Sequence, residues 1–143
     1  KDFYFKRDGI LSSLGNTRLS YSPEIVFGNI TMFKPYNNLN ISLLTKFVGE
    51  QYMSNIEAMG SKLDSYSVND LNISYNWEPK SAISQISLSL LINNIFDKEY
   101  ISNGYFYTYD DDWSSPGQIK TIEGAGYYPQ AGINFLTGIT ISF

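Results

Sequence analysis

Apolar residues recur at every second position in several runs of this chain, and each such run predicts a β-strand. The clearest is Ile133–Phe143, where odd positions are almost all apolar and even positions are mostly small or polar. Near Val68–Trp77, Leu71, Ile73, Tyr75 and Trp77 align against Asp70, Asn72, Ser74 and Asn76. Near Ile83–Ile95, Ile86, Leu88, Leu90 and Ile92 align against Ser87, Ser89 and Asn93, with Leu91 an exception. In Asn40–Val48, Ile41, Leu43 and Phe47 oppose Asn40, Ser42 and Lys46, with Leu44 and Val48 on the polar side. Two further runs are predicted at Lys1–Lys6, with Phe3 and Phe5 on one face, and at Leu19–Phe33, where the alternation is muddled. No segment carries a convincing helical period.

Gly, Asn, Asp, Pro and Ser clusters predict breaks at Asp8–Gly15, Lys34–Asn38, Gly49–Asp64, Asn76–Ser81 and Ser102–Gly126. Short connections (Lys34–Asn38, Asn76–Ser81) alternate with long ones (Gly49–Asp64, Ser102–Gly126). An antiparallel up-and-down transmembrane β-barrel has this form, with tight periplasmic turns and long extracellular loops. Counting back from a periplasmic end at Phe143 puts both long connections outside. Tyr36, Tyr75, Trp77 and Phe143 then fall near the periplasmic interface, where aromatic girdles sit. A soluble β-sandwich would show similar alternation and needs no more strands, so patterning alone leaves both architectures open.

Composition narrows the function. The 143 residues include 12 Tyr and 9 Phe, and aromatics make up 16%, a load suited to strands and membrane interfaces. Mean hydropathy is −0.21, so no helix-length apolar span is expected, and barrel strands escape that test. Lys and Arg total 10 against 14 Asp and Glu, a formal charge of −4 without a basic run, which argues against nucleic acid as a partner. There is no Cys and no His. That removes disulfides, thiol chemistry and any His-based acid–base mechanism, and no enzymatic activity is expected. No signal peptide is present, and the opening residues read like the interior of a longer polypeptide.

Two stretches resemble TonB-dependent outer-membrane receptors. Leu91-Ile92-Asn93-Asn94-Ile95-Phe96-Asp97-Lys98-Glu99-Tyr100 is similar to the family's penultimate-strand signature, with Ile95 where Leu is usual. Tyr127-Tyr128-Pro129-Gln130-Ala131-Gly132-Ile133-Asn134-Phe135 through Phe143 is similar to its last strand. Weaker echoes occur at Leu19–Pro23, and at Tyr52 with Leu63–Tyr66. The resemblance implies a barrel of about 22 strands around a plug, of which residues 1–143 would be the carboxy-terminal ~6 strands, with no plug domain or TonB-contacting box in this sequence. It implies active import of a scarce nutrient, of the ferric siderophore, haem or cobalamin class, across the outer membrane of a Gram-negative bacterium. The implied partners are outer-membrane lipid, the remaining barrel and plug, the TonB complex acting through that plug, and a surface lipoprotein carried by some relatives. It also implies that Phe143 is the residue read by the barrel-assembly machinery. The alternative is a soluble β-sandwich that binds a ligand.

Candidate sites cluster in Ser102–Gly126. Asp110, Asp111 and Asp112 offer hard oxygen ligands for a Ca²⁺ ion, or form a solvated loop tip. Tyr105, Phe106, Tyr107, Tyr109 and Trp113 could stack on a flat ligand, or pack against neighbouring loops. No other cofactor is expected. Asn93 and Asn94 read as polar residues that bond backbone where a strand passes into a loop. Gly138 suggests a close backbone approach, or a small lumen-facing residue beside a plug. Glu24, Lys46 and Asp70 are placed on the lumen side.

Overall fold

The structure, a computed structural model, describes residues 2–79 and 82–143. Its strands are β1 (Phe3–Arg7), β2 (Ile10–Gly15), β3 (Val26–Tyr36), β4 (Leu39–Val48), β5 (Gln51–Tyr52), β6 (Lys62–Leu63), β7 (Tyr66–Trp77), β8 (Gln85–Asn93), β9 (Ile101–Asp111), β10 (Lys120–Pro129) and β11 (Asn134–Ser142). A single 3₁₀ turn, Met59–Ser61, accompanies them, and the described residues contain no α-helix. The chain divides into two compact units.

One unit comprises Val26–Val48, Ser67–Tyr100 and Gln130–Phe143. It is a five-stranded antiparallel sheet in the order β11-β8-β7-β4-β3. Each of these strands pairs with the next in sequence, as expected for Asn40–Val48, Val68–Trp77, Ile83–Ile95 and the last run. The sheet is open, with β3 and β11 at its edges, and does not close into a barrel.

Register explains the alternation. Leu71, Ile73, Tyr75 and Trp77 lie opposite Ile92, Leu90, Leu88 and Ile86. Ile92, Leu88 and Ile86 lie opposite Phe135, Ile139 and Ile141. On the other side of the sheet, Phe27 and Phe33 lie opposite Phe47 and Ile41. Between β4 and β7, Asn76 N–H donates to the Asn38 carbonyl at 2.8 Å. Asn40 donates to Ser74 at 3.4 Å and Thr45 to Asn69 at 2.6 Å. These contacts share one register, which sets Ile41 opposite Ile73 and Leu43 opposite Leu71. Most apolar positions of β4, β7, β8 and β11 thus share one face, with Thr45, Asn69 and Thr137 among them. The other face carries Asn, Ser, Lys46 and Asp70 together with Ile30, Met32, Leu44, Leu91 and Leu136. A slip of one residue in any strand would reverse its faces.

Neither face of this single layer is covered by a second sheet of the unit. None of Ile41, Leu43, Phe47, Leu71, Ile73, Ile86, Leu88, Leu90, Ile92, Ile133, Phe135, Ile139 and Ile141 is buried, and Ile139 is 71% exposed. In a sandwich one face of each sheet forms the core. Tyr36, Trp77 and Phe143, all exposed, stand at one end of the sheet, where β3, β7 and β11 finish.

The other unit comprises Ile25 and the residues before it, Gly49–Tyr66 and Ile101–Pro129, and here three expectations are corrected. Asp8–Gly15 is a turn followed by a strand: Asp8 and Gly9, both at positive φ, join β1 to β2 in a two-residue hairpin. Ser102–Gly126 is mostly the ordered hairpin β9–β10, not a long loop. The run predicted at Leu19–Phe33 becomes strand only from Val26, because Pro23 lacks an amide donor and Tyr21 sits at φ 54°. Glu24 therefore lies outside any strand and pairs with Arg18 at 3.1 Å. The long connection Gly49–Asp64 holds only the two-residue strands β5 and β6 and the 3₁₀ turn. Its Met53 and Leu63 are buried, and Ser61 is fully buried, with its hydroxyl donating to the Ala58 carbonyl at 2.7 Å. Two predictions touch residues outside the described set: Lys1 of the first run, and Lys80 and Ser81 of the turn Asn76–Ser81.

Candidate functional site

The β9–β10 hairpin brings the sequence-predicted aromatics together by strand geometry. Tyr105, Tyr107 and Tyr109 are two residues apart, so they share one face of β9. Their ring centroids are 6.3 and 6.4 Å apart, with interplanar angles of 18° and 13°. Trp113 continues the row beyond the strand, 5.9 Å from Tyr109 and 7° from parallel. Tyr128 on β10 flanks Tyr105 at 6.1 Å. Tyr105 and Tyr107 lie opposite Gly126 and Gly124 in the ladder. The rings reach across the partner strand, and a Cβ at either glycine would collide with them. Phe106 points the other way, beside Gly60.

The opposite face of the hairpin is already packed. Tyr127 hydroxyl donates to the Gly60 carbonyl at 2.8 Å, and Gly104 abuts Met53 and Gly126 so closely that a side chain has no room there. Arg7 pairs with Glu123. Asp8 and Thr121 bond each other twice: Thr121 N–H donates to Asp8 Oδ1 at 2.7 Å, and Asp8 N–H to Thr121 Oγ1 at 2.8 Å. The aromatic row is therefore the uncovered face, with Tyr105 49%, Tyr107 51% and Trp113 66% exposed.

The aspartates do not converge. Asp110 and Asp111 are successive strand residues and face opposite sides. Asp110 Oδ1 accepts from the Thr121 hydroxyl at 2.9 Å. Asp111 Oδ1 accepts from the amides of Ser114 and Trp113 at 3.1 and 3.3 Å. Bonds from the Ser114 hydroxyl and amide hold its carboxyl below the usual range. Among the described residues, no group of three carboxylates is placed to hold a metal ion. A cavity of about 420 Å³ adjoins this tip, lined by Arg7, Asp8, Asp111, Ser114, Gln118 and Lys120 among others.

Sequence reasoning missed a second cluster, because its members are distant in the chain. Arg18 pairs with Glu50 at 2.7 Å, and Lys62 pairs with the other Glu50 oxygen at 2.8 Å. The Arg18 guanidinium also stands 5.6 Å from the centre of the Tyr52 ring. Lys62 first and Arg18 second hold the Glu50 carboxyl below its ordinary value. The role of Gly124 and Gly126 was also missed, although the period-two Tyr row facing a period-two Gly row is a legible hairpin signal.

In the five-stranded unit, Asn94 is 97% hidden from solvent, at 3% exposure. It bonds the backbone of Lys98 and Ala131, which matches its structural reading. Asp70 is bound as well, accepting from Asn94 N–H at 2.8 Å. At Gly138 the neighbour is a side chain and not the backbone expected: a Cβ there would lie 2.6 Å from Ser89 Oγ. Phe143 follows β11 and is 89% exposed. No protein-family profile, curated protein or solved structure matches the chain.

Proposed function

We propose that this chain forms wall and outer loops of a TonB-dependent transporter in the outer membrane of a Gram-negative bacterium. The cargo class is a scarce nutrient such as a ferric siderophore, haem or cobalamin. The family comes from the resemblance of Leu91–Tyr100 and Tyr127–Phe143. The observation that supports the membrane reading is the five-stranded sheet: its strands lie in sequence order, and one face is predominantly apolar and has no second sheet of its unit over it. The other face carries most of the polar residues, with Ile30, Met32, Leu44, Leu91 and Leu136 among them. A bilayer covers such an apolar face, and a water-filled or plugged lumen suits the polar one. The remaining barrel would pair the free backbone of β3 and β11, which a bilayer does not tolerate unpaired. On this reading the chain does no chemistry. Energy reaches the transporter from TonB through a plug.

Membrane fractionation of cells expressing the protein tests the reading. The expected result is recovery in the outer membrane, heat-modifiable migration, and uptake of cargo that stops when TonB is deleted. Recovery as a folded species in buffer without detergent would favour the soluble ligand-binding alternative. Its binding site would then lie on an exposed face of a single-layer sheet.

A further inference from the structure

We propose that the uncovered face of the β9–β10 hairpin is a binding strip for a neutral polysaccharide, whose sugar rings stack along Tyr105, Tyr107, Tyr109 and Trp113. The row is continuous and nearly parallel, with centroid steps of 6.3, 6.4 and 5.9 Å. Its members are between 44% and 66% exposed. The hairpin gains its packing on the other face, through Tyr127, Phe106, Gly104 and Thr121, so the row is not half of that core.

The arrangement suits one kind of occupant. An interfacial girdle places aromatics of neighbouring strands at one depth. Here three rings follow one another along a single strand and Trp113 extends the row just beyond it, for a total length of about 20 Å at a strand's rise per residue. A single flat ligand would cover one or two rings and leave the rest idle. A linear chain of rings uses all of them. Single-stranded nucleic acid is such a chain, but it requires a cationic groove. This chain carries −4, and Asp110, Asp111 and Asp112 stand at the end of the row. That field also opposes acidic polysaccharides.

A neutral sugar has an apolar C–H face to lay on an aromatic ring and a rim of hydroxyls to bond. The rim finds partners here. The Tyr105, Tyr107 and Tyr109 hydroxyls make no hydrogen bond among the described residues. At the hairpin tip a cavity of about 420 Å³ is lined by Asp111, Gln118 and Lys120, with Arg7, Asp8 and Thr121 from the packed face. Gly124 and Gly126 keep the neighbouring strand flat beneath two of the rings.

This inference stands apart from the transport reading and is tested without transport. Trp77 and Trp113 are the only tryptophans, so a Trp77→Phe background makes Trp113 the sole indole reporter. The purified protein in detergent is titrated with neutral hexasaccharides of β-1,4-glucan, α-1,4-glucan and β-1,4-xylan, and with a uronic-acid oligomer of equal length. The expected result is a saturable change of Trp113 emission, confirmed by calorimetry, with at least one neutral sugar and none with the uronic acid. Tyr107→Ala should weaken binding about tenfold, the loss of one stacking partner, while Tyr107→Phe retains most of it. Circular dichroism checks the fold, and Trp113→Ala read by calorimetry replaces Tyr107→Ala if that variant does not fold. No saturable response to any neutral sugar, equal binding of the uronic acid, or affinity indifferent to removal of these rings would each overturn the proposal. The row would then serve only as cross-strand packing over glycines.

Discussion

Asn94 and Lys98 are bonded to each other twice: Lys98 N–H donates to Asn94 Oδ1 at 2.9 Å, and Asn94 Nδ2 donates to the Lys98 carbonyl at 3.0 Å. The same Asn94 amide reaches the Ala131 carbonyl at 3.3 Å. Asp97, at the end of this turn, accepts from Ile133 N–H at 2.7 Å. Together they tie the end of β8 to the start of β11. Asn94 also sits at φ 50°, a conformation that Asn tolerates better than most residues.

Asn94→Ala should therefore destabilise the protein by about 1–3 kcal/mol, because it leaves buried backbone groups unpaired. Denaturant or thermal unfolding measures this. Asn94→Asp should also lose stability, since it keeps the acceptor but loses both donors. A variant with unchanged stability would show that water replaces the side chain.

Two glycines should respond in opposite ways to the same change. At Gly104 an added Cβ meets the Gly126 carbonyl and lies 2.7 Å from Met53 Sδ. Gly104→Ala should cost about 1–3 kcal/mol through overpacking. At Gly28 nothing lies within 4 Å, so Gly28→Ala should be neutral or stabilise by up to about 1 kcal/mol through the unfolded chain. Paired unfolding curves make the comparison.

Leu88 and Ile139 lie opposite each other on the apolar face, 40% and 71% exposed. Ile139→Arg should cost about 2–4 kcal/mol in a bilayer near its midplane. In lipid-free buffer the same change at so exposed a position should be close to neutral. Folding measured in vesicles and in buffer distinguishes the two environments, and a neutral result in vesicles would remove lipid as the occupant of this face.

Acid should loosen the segment held by Arg18. The Glu50 carboxyl is held low by Lys62 and Arg18, so its contribution is present above the unfolded carboxylate value. It disappears as pH falls through the depressed folded value. The raised values of Arg18 and Lys62 keep both cations charged throughout that range. The protection factor for hydrogen exchange at Tyr21, whose amide donates to the Tyr52 carbonyl at 2.8 Å, should fall in acid once the slower intrinsic exchange is divided out. Glu50→Gln should flatten that dependence. Because the Arg18, Glu50 and Lys62 side chains are 38%, 44% and 31% exposed, the effect should shrink in high salt.

The sequence by itself determined what period two can carry. Strands β4, β7, β8 and β11 were legible to within two residues at each end, because each has one apolar face and a polar one. Their pairing in chain order followed from the up-and-down connectivity expected of a barrel wall. The structural role of Asn94 was also legible, since its bonds to Lys98 are local. Tertiary structure decided the rest. Strand β2 was hidden because Asp8-Gly9 was read as the start of a loop when it was a hairpin turn. Strands β9 and β10 were hidden because Gly, Asp and Ser punctuation outweighed the Tyr alternation. Whether three consecutive aspartates converge depends on the strand beneath them, which turns Asp110 and Asp111 to opposite sides. The contacts of Arg18 with Glu50 and of Asp8 with Thr121 join residues far apart in the chain. No local pattern encodes such a pair, because it exists only once the strands between its members have paired.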